Sequence, residues 1–172
     1  MTSAIPAPQR ESACRSNWRR GGVGGVQTSG MRRVGVVLFD RCELLDVFGP
    51  LKVFGALKSH FENVMVGPPG GVVASSQGPR SVVDVSYGEA ERCDVVMVPG
   101  GVGTRSLVYD AGFVTWLAAW AAQAEVVSSV CTGSGVLARA GLLDGYRATS
   151  NKRDFAFALS QGPRVEWVRK AR

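Results

Sequence analysis

Cys131 stands where the sequence changes from the pattern of a buried strand to that of a helix. Residues 126–130 have the pattern of a buried strand, and the apolar residues of 136–140 recur at helical spacing. The small residues Ser129 and Gly133 stand two positions before and after the cysteine. A sharp strand-to-helix turn needs small residues there because it brings backbone against backbone. The spacing therefore predicts a nucleophile elbow that presents the Cys131 side chain at the end of a sheet.

The predicted elbow favours a reactive thiol. Unpaired N–H groups and the macrodipole at the start of a helix favour an anion, and the thiolate is the nucleophilic form of cysteine. The alternative is that Cys131 is a small residue of the core, since free cysteine is among the most buried residue types. The surroundings of the thiol decide between these two interpretations.

The sequence offers no histidine to activate this thiol. An activated cysteine normally has a base beside it, most often histidine. The one histidine is His60, at the start of a predicted strand on the opposite edge of the sheet, so we interpret it as a surface residue. This excludes the Cys-His-Glu triad of glutamine amidotransferases and the Cys-His dyad of proteases.

Two carboxyl groups remain as possible partners of the thiol. Glu43 and Asp46 lie in the loop and the first helical turn after the first predicted strand. An acid placed between a thiolate and apolar neighbours has a raised pKa, so it could hold a proton near neutral pH and deliver it. The alternative for either acid is a helix N-terminal charge or cap, which is the interpretation we prefer for Glu43.

A glycine-rich segment, Pro99-Gly100-Gly101-Val102-Gly103, follows another predicted strand. It is either an ordinary turn or a place where backbone N–H groups approach a developing negative charge. With the Thr132 N–H behind the nucleophile, these groups would form an oxyanion hole. The segment is not a phosphate loop, because it lacks the required lysine and the following Ser or Thr.

Strands alternate with helices along the chain. The main strands are predicted at 34–39, 61–66, 94–98 and 126–130, shorter ones at 72–74, 81–85, 146–149 and 165–168, and helices after the first strand, around 113–120, after Cys131 and at 151–159. The helix after the first strand begins either at Pro50 or near Glu43 with a bend. This order predicts an α/β fold with a doubly wound, mainly parallel, flavodoxin-like sheet. Ligands bind outside the carboxyl ends of such strands, where 40–46, 99–103 and Cys131 would meet.

The net charge of +6 comes from the N-terminal segment. Residues 1–33 hold six arginines and one glutamate, whereas 34–172 hold fourteen Lys and Arg against thirteen Asp and Glu. We therefore expect no nucleic-acid partner. Residues 1–30 are rich in Ser, Gly, Pro and Arg, which predicts a disordered basic leader before a single domain at 31–172. Met31 is a candidate start, and a transit peptide would have a similar composition.

The four cysteines, at 14, 42, 93 and 131, are too far apart for a C-x-x-C motif. We expect free thiols in a reducing, cytoplasmic location, with no metal site and no organic cofactor. No apolar run reaches the roughly 18 residues of a membrane span, so we expect no membrane partner.

These features together resemble the ThiJ/PfpI superfamily, whose fold is that of class I glutamine amidotransferases. The similar segments are VGVVLFDRCELLDVFGPLKVF, DVVMVPGGVGT and VVSSVCTGSGVLARAGLLDGYRATSNKRDF. Within the superfamily they are most similar to isocyanide hydratases and to the sensor domains of AraC-type regulators. By position, the resemblance implies that Cys131 is the nucleophile and Asp46 the proton carrier. It also implies that Gly100, Gly101 and Thr132 bind substrate or oxyanion.

The resemblance also implies a reaction. Hydratases of this branch add the thiolate to the terminal isocyanide carbon, protonate the adduct to a thioimidate, and let water release an N-substituted formamide. The resemblance further implies a homodimer that acts on a small molecule. The alternatives are a non-catalytic ligand-sensing module, as in AraC-type regulators, and an inactive truncated remnant.

The sequence departs from the superfamily at two places. Many relatives have Thr-His where this chain has Ser150-Asn151, which leaves Asn151, with Glu43, as a minor site candidate. Relatives also continue past the final VEWVRKAR through a strand and a closing helix. We therefore expect that on the order of 40 residues of the family domain are missing, about the size of one βα unit plus a strand.

Overall fold

The computed structural model describes residues 30–171. A five-stranded parallel sheet forms its centre, made of β1 (Arg32–Val37), β2 (Phe61–Gly67), β5 (Val85–Ser86), β6 (Val95–Val98) and β7 (Val126–Ser129). The strands lie in the order β5-β2-β1-β6-β7. The helices are α1 (Leu44–Gly55), α2 (Thr104–Leu107), α3 (Ala111–Ala121), α4 (Gly133–Arg139) and α5 (Phe155–Gln161). The predicted α/β class with a mainly parallel sheet is confirmed, and the predicted leader lies outside the described residues.

The sheet is covered on both faces at its centre. Val36 and Val37 of β1 point to opposite faces, and both are fully buried, as are Val96 and Val98 of β6. Continuous apolar strands of this kind are typical of a parallel sheet between layers of helix. The central strands therefore form a rigid support for the loops at their carboxyl ends.

The strand order places a crevice between β1 and β6. The chain runs from β1 to β2 on one side, and later returns to β6 on the other side of β1. Ligands of doubly wound sheets bind at such a reversal of strand order. The segments that leave β1 and β6 there are 40–46 and 99–103, and β7 brings Cys131 beside them.

Helix α1 begins with Glu43 as its N-terminal flanking residue and contains Pro50 in its interior. Of the two predicted alternatives, the start near Glu43 is the one observed. This start matters because it places Asp46 in the first turn of the helix, close to the end of β1.

The predicted single strand at 81–85 is two strands. Residues of β4 (Arg80–Val82) pair antiparallel with β3 (Val72–Ala74), whereas β5 pairs parallel with β2 in the main sheet. The chain changes partner at Val83 and Asp84, whose N–H groups donate to Gly71 and to Met65 of β2, respectively. An alternating pattern identifies the strands but not their partners, which explains the difference.

The last two strands lie outside the main sheet. Strands β8 (Arg147–Ala148) and β9 (Glu166–Trp167) form a separate parallel pair, and α5 lies between them in the chain. None of the helices within residues 30–171 is long and apolar enough to cross a bilayer.

Candidate active site

The turn at Cys131 has the geometry of a nucleophile elbow. Cys131 has a φ of 53°, a left-handed conformation that residues other than glycine seldom adopt. At Gly133, a β-carbon would lie 2.2 Å from the carbonyl oxygen of Val98 and 2.7 Å from that of Pro99. A side chain is therefore excluded at position 133, which is the reason for the small residue there.

Two buried serines hold the carbonyl group of the cysteine. The Ser150 hydroxyl donates to the Cys131 carbonyl oxygen at 3.2 Å and accepts from the Ser134 hydroxyl at 2.7 Å, and Ser134 Oγ lies 3.1 Å from the same carbonyl oxygen. Both side chains are nearly inaccessible to solvent. These bonds hold the strained turn from two sides, because Ser134 lies on α4 and Ser150 follows β8.

Asp46 approaches the same thiol from α1. Its Oδ2 atom accepts a hydrogen bond of 3.0 Å from the Gly100 N–H. A β-carbon on Gly100 would lie 2.7 Å from Cys131 Cβ and 2.8 Å from Asp46 Oδ2, so both side chains converge above this glycine. The structure thus brings together the two residues that the sequence predicted as nucleophile and acid.

The surroundings of Asp46 favour its protonated form. Burial raises the pKa of the Asp46 carboxyl above its usual range, and the nearby Glu43 charge raises it further. Hydrogen bonds from the Gly100 N–H and from the Cys131 thiol offset part of this rise. The site therefore contains an acid that keeps its proton to a higher pH than an ordinary aspartic acid.

The glycine segment supports the site rather than offering two free N–H groups. The Gly101 N–H donates to Thr132 Oγ1 at 3.1 Å, and Thr132 Oγ1 is also 3.2 Å from the buried hydroxyl of Thr104. The Gly100 N–H is bound to Asp46. Gly101 has a φ of 128°, and a β-carbon there would lie 2.5 Å from the Arg41 carbonyl oxygen.

The N–H groups of the predicted oxyanion hole differ in their partners. Gly100 and Gly101 use their N–H groups to position Asp46 and Thr132, because acceptors within the protein already occupy them. The Thr132 N–H has no acceptor within residues 30–171, and it lies 2.8 Å from the β-carbon position of Gly100. Of these predicted donors, Thr132 is therefore the one whose N–H is not already used within residues 30–171, and the residue itself is buried.

Glu43 turns away from the thiol. Its N–H donates to the Gly100 carbonyl at 2.9 Å, and its carboxylate accepts from Gln77 Nε2 at 2.8 Å. Gln77 Oε1 in turn accepts from the Leu44 N–H at 3.3 Å, at the start of α1. Glu43 therefore belongs to the start of the helix, as we preferred. Gln77 was missed, because nothing in its loop sequence indicates a contact with a helix 33 residues away.

Asn151 contacts the sulfur directly. Its Nδ2 atom lies 2.9 Å from Cys131 Sγ, as a donor, and its Oδ1 atom accepts from the Arg153 N–H at 2.9 Å. His60, in contrast, is exposed immediately before β2 and takes no part in the site. Asn151 is therefore a closer neighbour of the nucleophile than the sequence indicated.

The other described cysteines differ from Cys131 in their surroundings. Cys42 and Cys93 are buried, and burial raises the pKa of both thiols above the usual range. Cys131 is half-buried at the carboxyl edge of the sheet. In the described part of the chain, no three His, Cys, Asp or Glu side chains gather as a potential metal site.

Comparison with known proteins gives the family. A family model described as DJ-1/PfpI family matches residues 32–162, which is most of the chain. The chain belongs to the DJ-1/PfpI family. The resemblance to ThiJ/PfpI proteins in the sequence is thereby confirmed.

Three relatives illustrate the range of the DJ-1/PfpI family. The chain is 37% identical over 119 residues to an isonitrile hydratase of Pseudomonas putida, covering 69% of this chain and 52% of the hydratase. It is 42% identical over 94 residues to the HTH-type transcriptional regulator GbdR of Pseudomonas aeruginosa, covering 54% of this chain and 25% of the regulator. The crystal structure of a ThiJ/PfpI family protein from Pseudomonas syringae superposes with a TM-score of 0.66 and 28% identity, over 78% of this chain and 58% of that one. The chain thus spans about half of the hydratase that it matches.

Proposed function

We propose that this DJ-1/PfpI-family chain is a cysteine-dependent hydratase of small organic isocyanides. The observation that carries the proposal is the pairing of the Cys131 thiol, on a strained elbow, with an Asp46 carboxyl of raised pKa. The 37% identity to an isonitrile hydratase supports the choice of substrate class. No other titratable side chain is needed for the chemistry.

The proposed first half-reaction forms a carbon–sulfur bond. The Cys131 sulfur adds to the terminal carbon of the isocyanide, which is electrophilic at that atom. The thiol proton, carried by Asp46, moves to the same carbon and gives a thioimidate, R–N=CH–S. Asp46 is suited to this transfer because its raised pKa lets it keep a proton to a higher pH than an ordinary aspartic acid.

The proposed second half-reaction consumes one water. The water oxygen adds to the thioimidate carbon, and its two protons go to the substrate nitrogen and, through Asp46, back to sulfur. The carbon–sulfur bond then breaks and releases R–NH–CHO, an N-substituted formamide. We assign the Thr132 N–H, which has no acceptor within residues 30–171, as the donor to the negative charge that develops beside the sulfur.

Turnover of an alkyl or aryl isocyanide tests the proposal. The wild-type chain should convert it to the formamide, measured by chromatography of the product, and Cys131→Ser should lose all turnover. Cys93→Ala is the matched control, since it removes a buried thiol that lies outside the site, just before β6. Equal rates in the wild type and Cys131→Ser would refute the proposal.

A second candidate function is ligand sensing without turnover. The 42% identity over 94 residues to GbdR, a transcriptional regulator, favours this candidate. Calorimetry with an isocyanide would show binding in the absence of product if this function holds. An inactive remnant would neither bind nor convert the isocyanide. A cooperative melting transition of the chain would count against such a remnant.

The location and assembly state are also proposals. The three described cysteines are unpaired, which supports a reducing, cytoplasmic compartment. We propose a homodimer on the strength of the family resemblance. Light scattering of the purified chain tests it, and a monomer at micromolar concentration would contradict it.

A further inference from the structure

Ser150 contacts the backbone of Cys131, and Asn151 contacts its side chain. The Ser150 hydroxyl donates to the cysteine carbonyl oxygen at 3.2 Å, and Asn151 Nδ2 lies 2.9 Å from the sulfur. These consecutive residues therefore determine both the backbone position and the side-chain direction of the nucleophile.

The orientation of the Asn151 amide is fixed by its other contact. Its Oδ1 atom accepts a hydrogen bond of 2.9 Å from the Arg153 N–H, which only the carbonyl oxygen of the amide can accept. The opposite arrangement would place two donors against each other. The NH₂ group therefore faces the sulfur, which makes Asn151 a donor to it.

The loop that carries Asn151 is held to the rest of the site. Asp154, three residues further on, forms a 2.9 Å ion pair with Arg105 of α2, and the Arg105 guanidinium lies 3.8 Å from the centre of the Phe157 ring. Helix α2 directly follows the glycine segment. A donor held in this way does not have to reorganise when charge appears on the sulfur.

We propose that Asn151 is a catalytic residue whose Nδ2 group stabilises the Cys131 sulfur as an anion, both before it adds to an electrophile and when it leaves the adduct. A hydrogen bond to an ionised group is stronger than one to a neutral group, so the donor favours the thiolate over the thiol. The amide has no proton to exchange at neutral pH. Proton transfer therefore remains with Asp46, and Asn151 serves charge stabilisation alone.

The charged groups described near this contact lie on α1, on α2 and on the Asn151 loop. Asp46 of α1 is the titratable side chain that hydrogen-bonds the thiol. On the Asn151 loop, Lys152 and Arg153 are exposed, and the Asp154 charge is paired with Arg105. Substitution of Asn151 thus changes the donor at sulfur and leaves the neighbouring charges in place.

The rate of Cys131 alkylation by iodoacetamide, measured against pH by peptide mass spectrometry, tests this role. Asn151→Leu removes the donor without adding charge. Labelling near neutral pH should slow on the order of tenfold, with the rate profile moved to higher pH and an unchanged plateau. Asn151→Asp keeps the acceptor for the Arg153 N–H and should slow labelling further, because its carboxylate repels the thiolate. Gln161→Glu on α5 is the matched control and should leave the profile unchanged.

Two outcomes would overturn the inference. One is an unchanged profile in Asn151→Leu with the wild-type melting transition; the other, which decides if that variant does not fold, is an unchanged profile in Asn151→Asp. The inference rests on the proposed function only for its effect on turnover. If labelling shifts as expected while the wild type hydrates no isocyanide, the proposed function fails and the role at sulfur stands. If turnover is present and labelling does not shift, this inference fails alone.

Discussion

The Asp46 carboxyl and the Gly100 N–H are joined by a hydrogen bond of 3.0 Å, and this bond links the first turn of α1 to the segment that follows β6. The Gly100 carbonyl returns the contact by accepting from the Glu43 N–H at 2.9 Å. The backbone N–H and carbonyl groups of Gly100 thus hold the start of α1, and with it the acid, close to the thiol. The absence of a side chain at position 100 is what makes this approach possible.

Gly100→Ala should therefore separate the acid from the nucleophile. The new methyl group would lie 2.7 Å from Cys131 Cβ and 2.8 Å from both Asp46 Oδ2 and the Thr132 N atom, none of which can be approached so closely. We expect about a hundredfold loss of turnover and a lower free energy of unfolding by about 1–3 kcal/mol. Gly88→Ala is the control, because a β-carbon there meets no atom within 4 Å. Steady-state kinetics and urea unfolding measure both effects, and an active Gly100→Ala enzyme would contradict the geometry.

Asp46→Asn should change how stability depends on pH. The pKa of Asp46 is raised in the folded chain, so the folded state binds more protons than the unfolded state above the ordinary Asp pKa. The contribution of this group to stability is therefore complete below that ordinary pKa, and it is lost as pH rises through the raised value. The variant lacks this contribution. Urea unfolding between pH 4 and pH 7 should show the wild type losing stability relative to Asp46→Asn as pH rises. If the wild type instead gained stability relative to Asp46→Asn as pH rises, the pKa of Asp46 would be lowered by folding and the prediction would be wrong.

The described thiols should react with iodoacetamide in a fixed order. Cys131 should be alkylated first, because it is partly accessible, whereas Cys42 and Cys93 are buried and have raised pKa values. Peptide mass spectrometry after short exposure near neutral pH measures the order. In concentrated urea the three rates should converge, since the folded surroundings are then lost. Faster labelling of Cys42 or Cys93 in the folded chain would contradict the assignment of Cys131 as the nucleophile.

Gln77→Ala should loosen the start of α1. The side chain accepts from the Leu44 N–H and donates to Glu43, and it is exposed, so we expect a loss of about 1 kcal/mol or less in the free energy of unfolding. Gln123→Ala is the control, because among residues 30–171 the Gln123 side chain bonds only the Ala119 carbonyl one turn away. Urea denaturation of both variants measures the difference, and equal stability would show that the contact contributes nothing.

The elbow could be predicted from the sequence because its determinants are local. A strand pattern, a cysteine and small residues at fixed spacing lie within nine positions, and the backbone contacts of Gly133 confirm the reason for that spacing. Glu43 and Asp46 were both predicted as possible acids because they follow the first strand of a parallel sheet, and the resemblance to the ThiJ/PfpI superfamily pointed to Asp46. Parallel strands bring their carboxyl ends together whatever their separation in sequence.

The contacts of Gln77 and Asn151 could not be predicted in the same way. Both lie in loops whose position depends on strands outside the five-stranded sheet: β3 and β4 for Gln77, β8 and β9 for Asn151. The pattern at 81–85 did not show where the chain exchanges one partner strand for another. The direction of the Gly100 and Gly101 N–H groups was likewise undetermined, because a glycine segment can turn either way.

The left-handed backbone of Cys131 implies a trade-off between activity and thermal stability. A residue with a β-carbon costs about 1 kcal/mol or more in this conformation, whereas glycine adopts it freely. Exchange of the cysteine for glycine would abolish the thiol and relieve the strain together. Selection of variants for heat resistance alone, without selection for turnover, would therefore favour replacement of this cysteine by glycine.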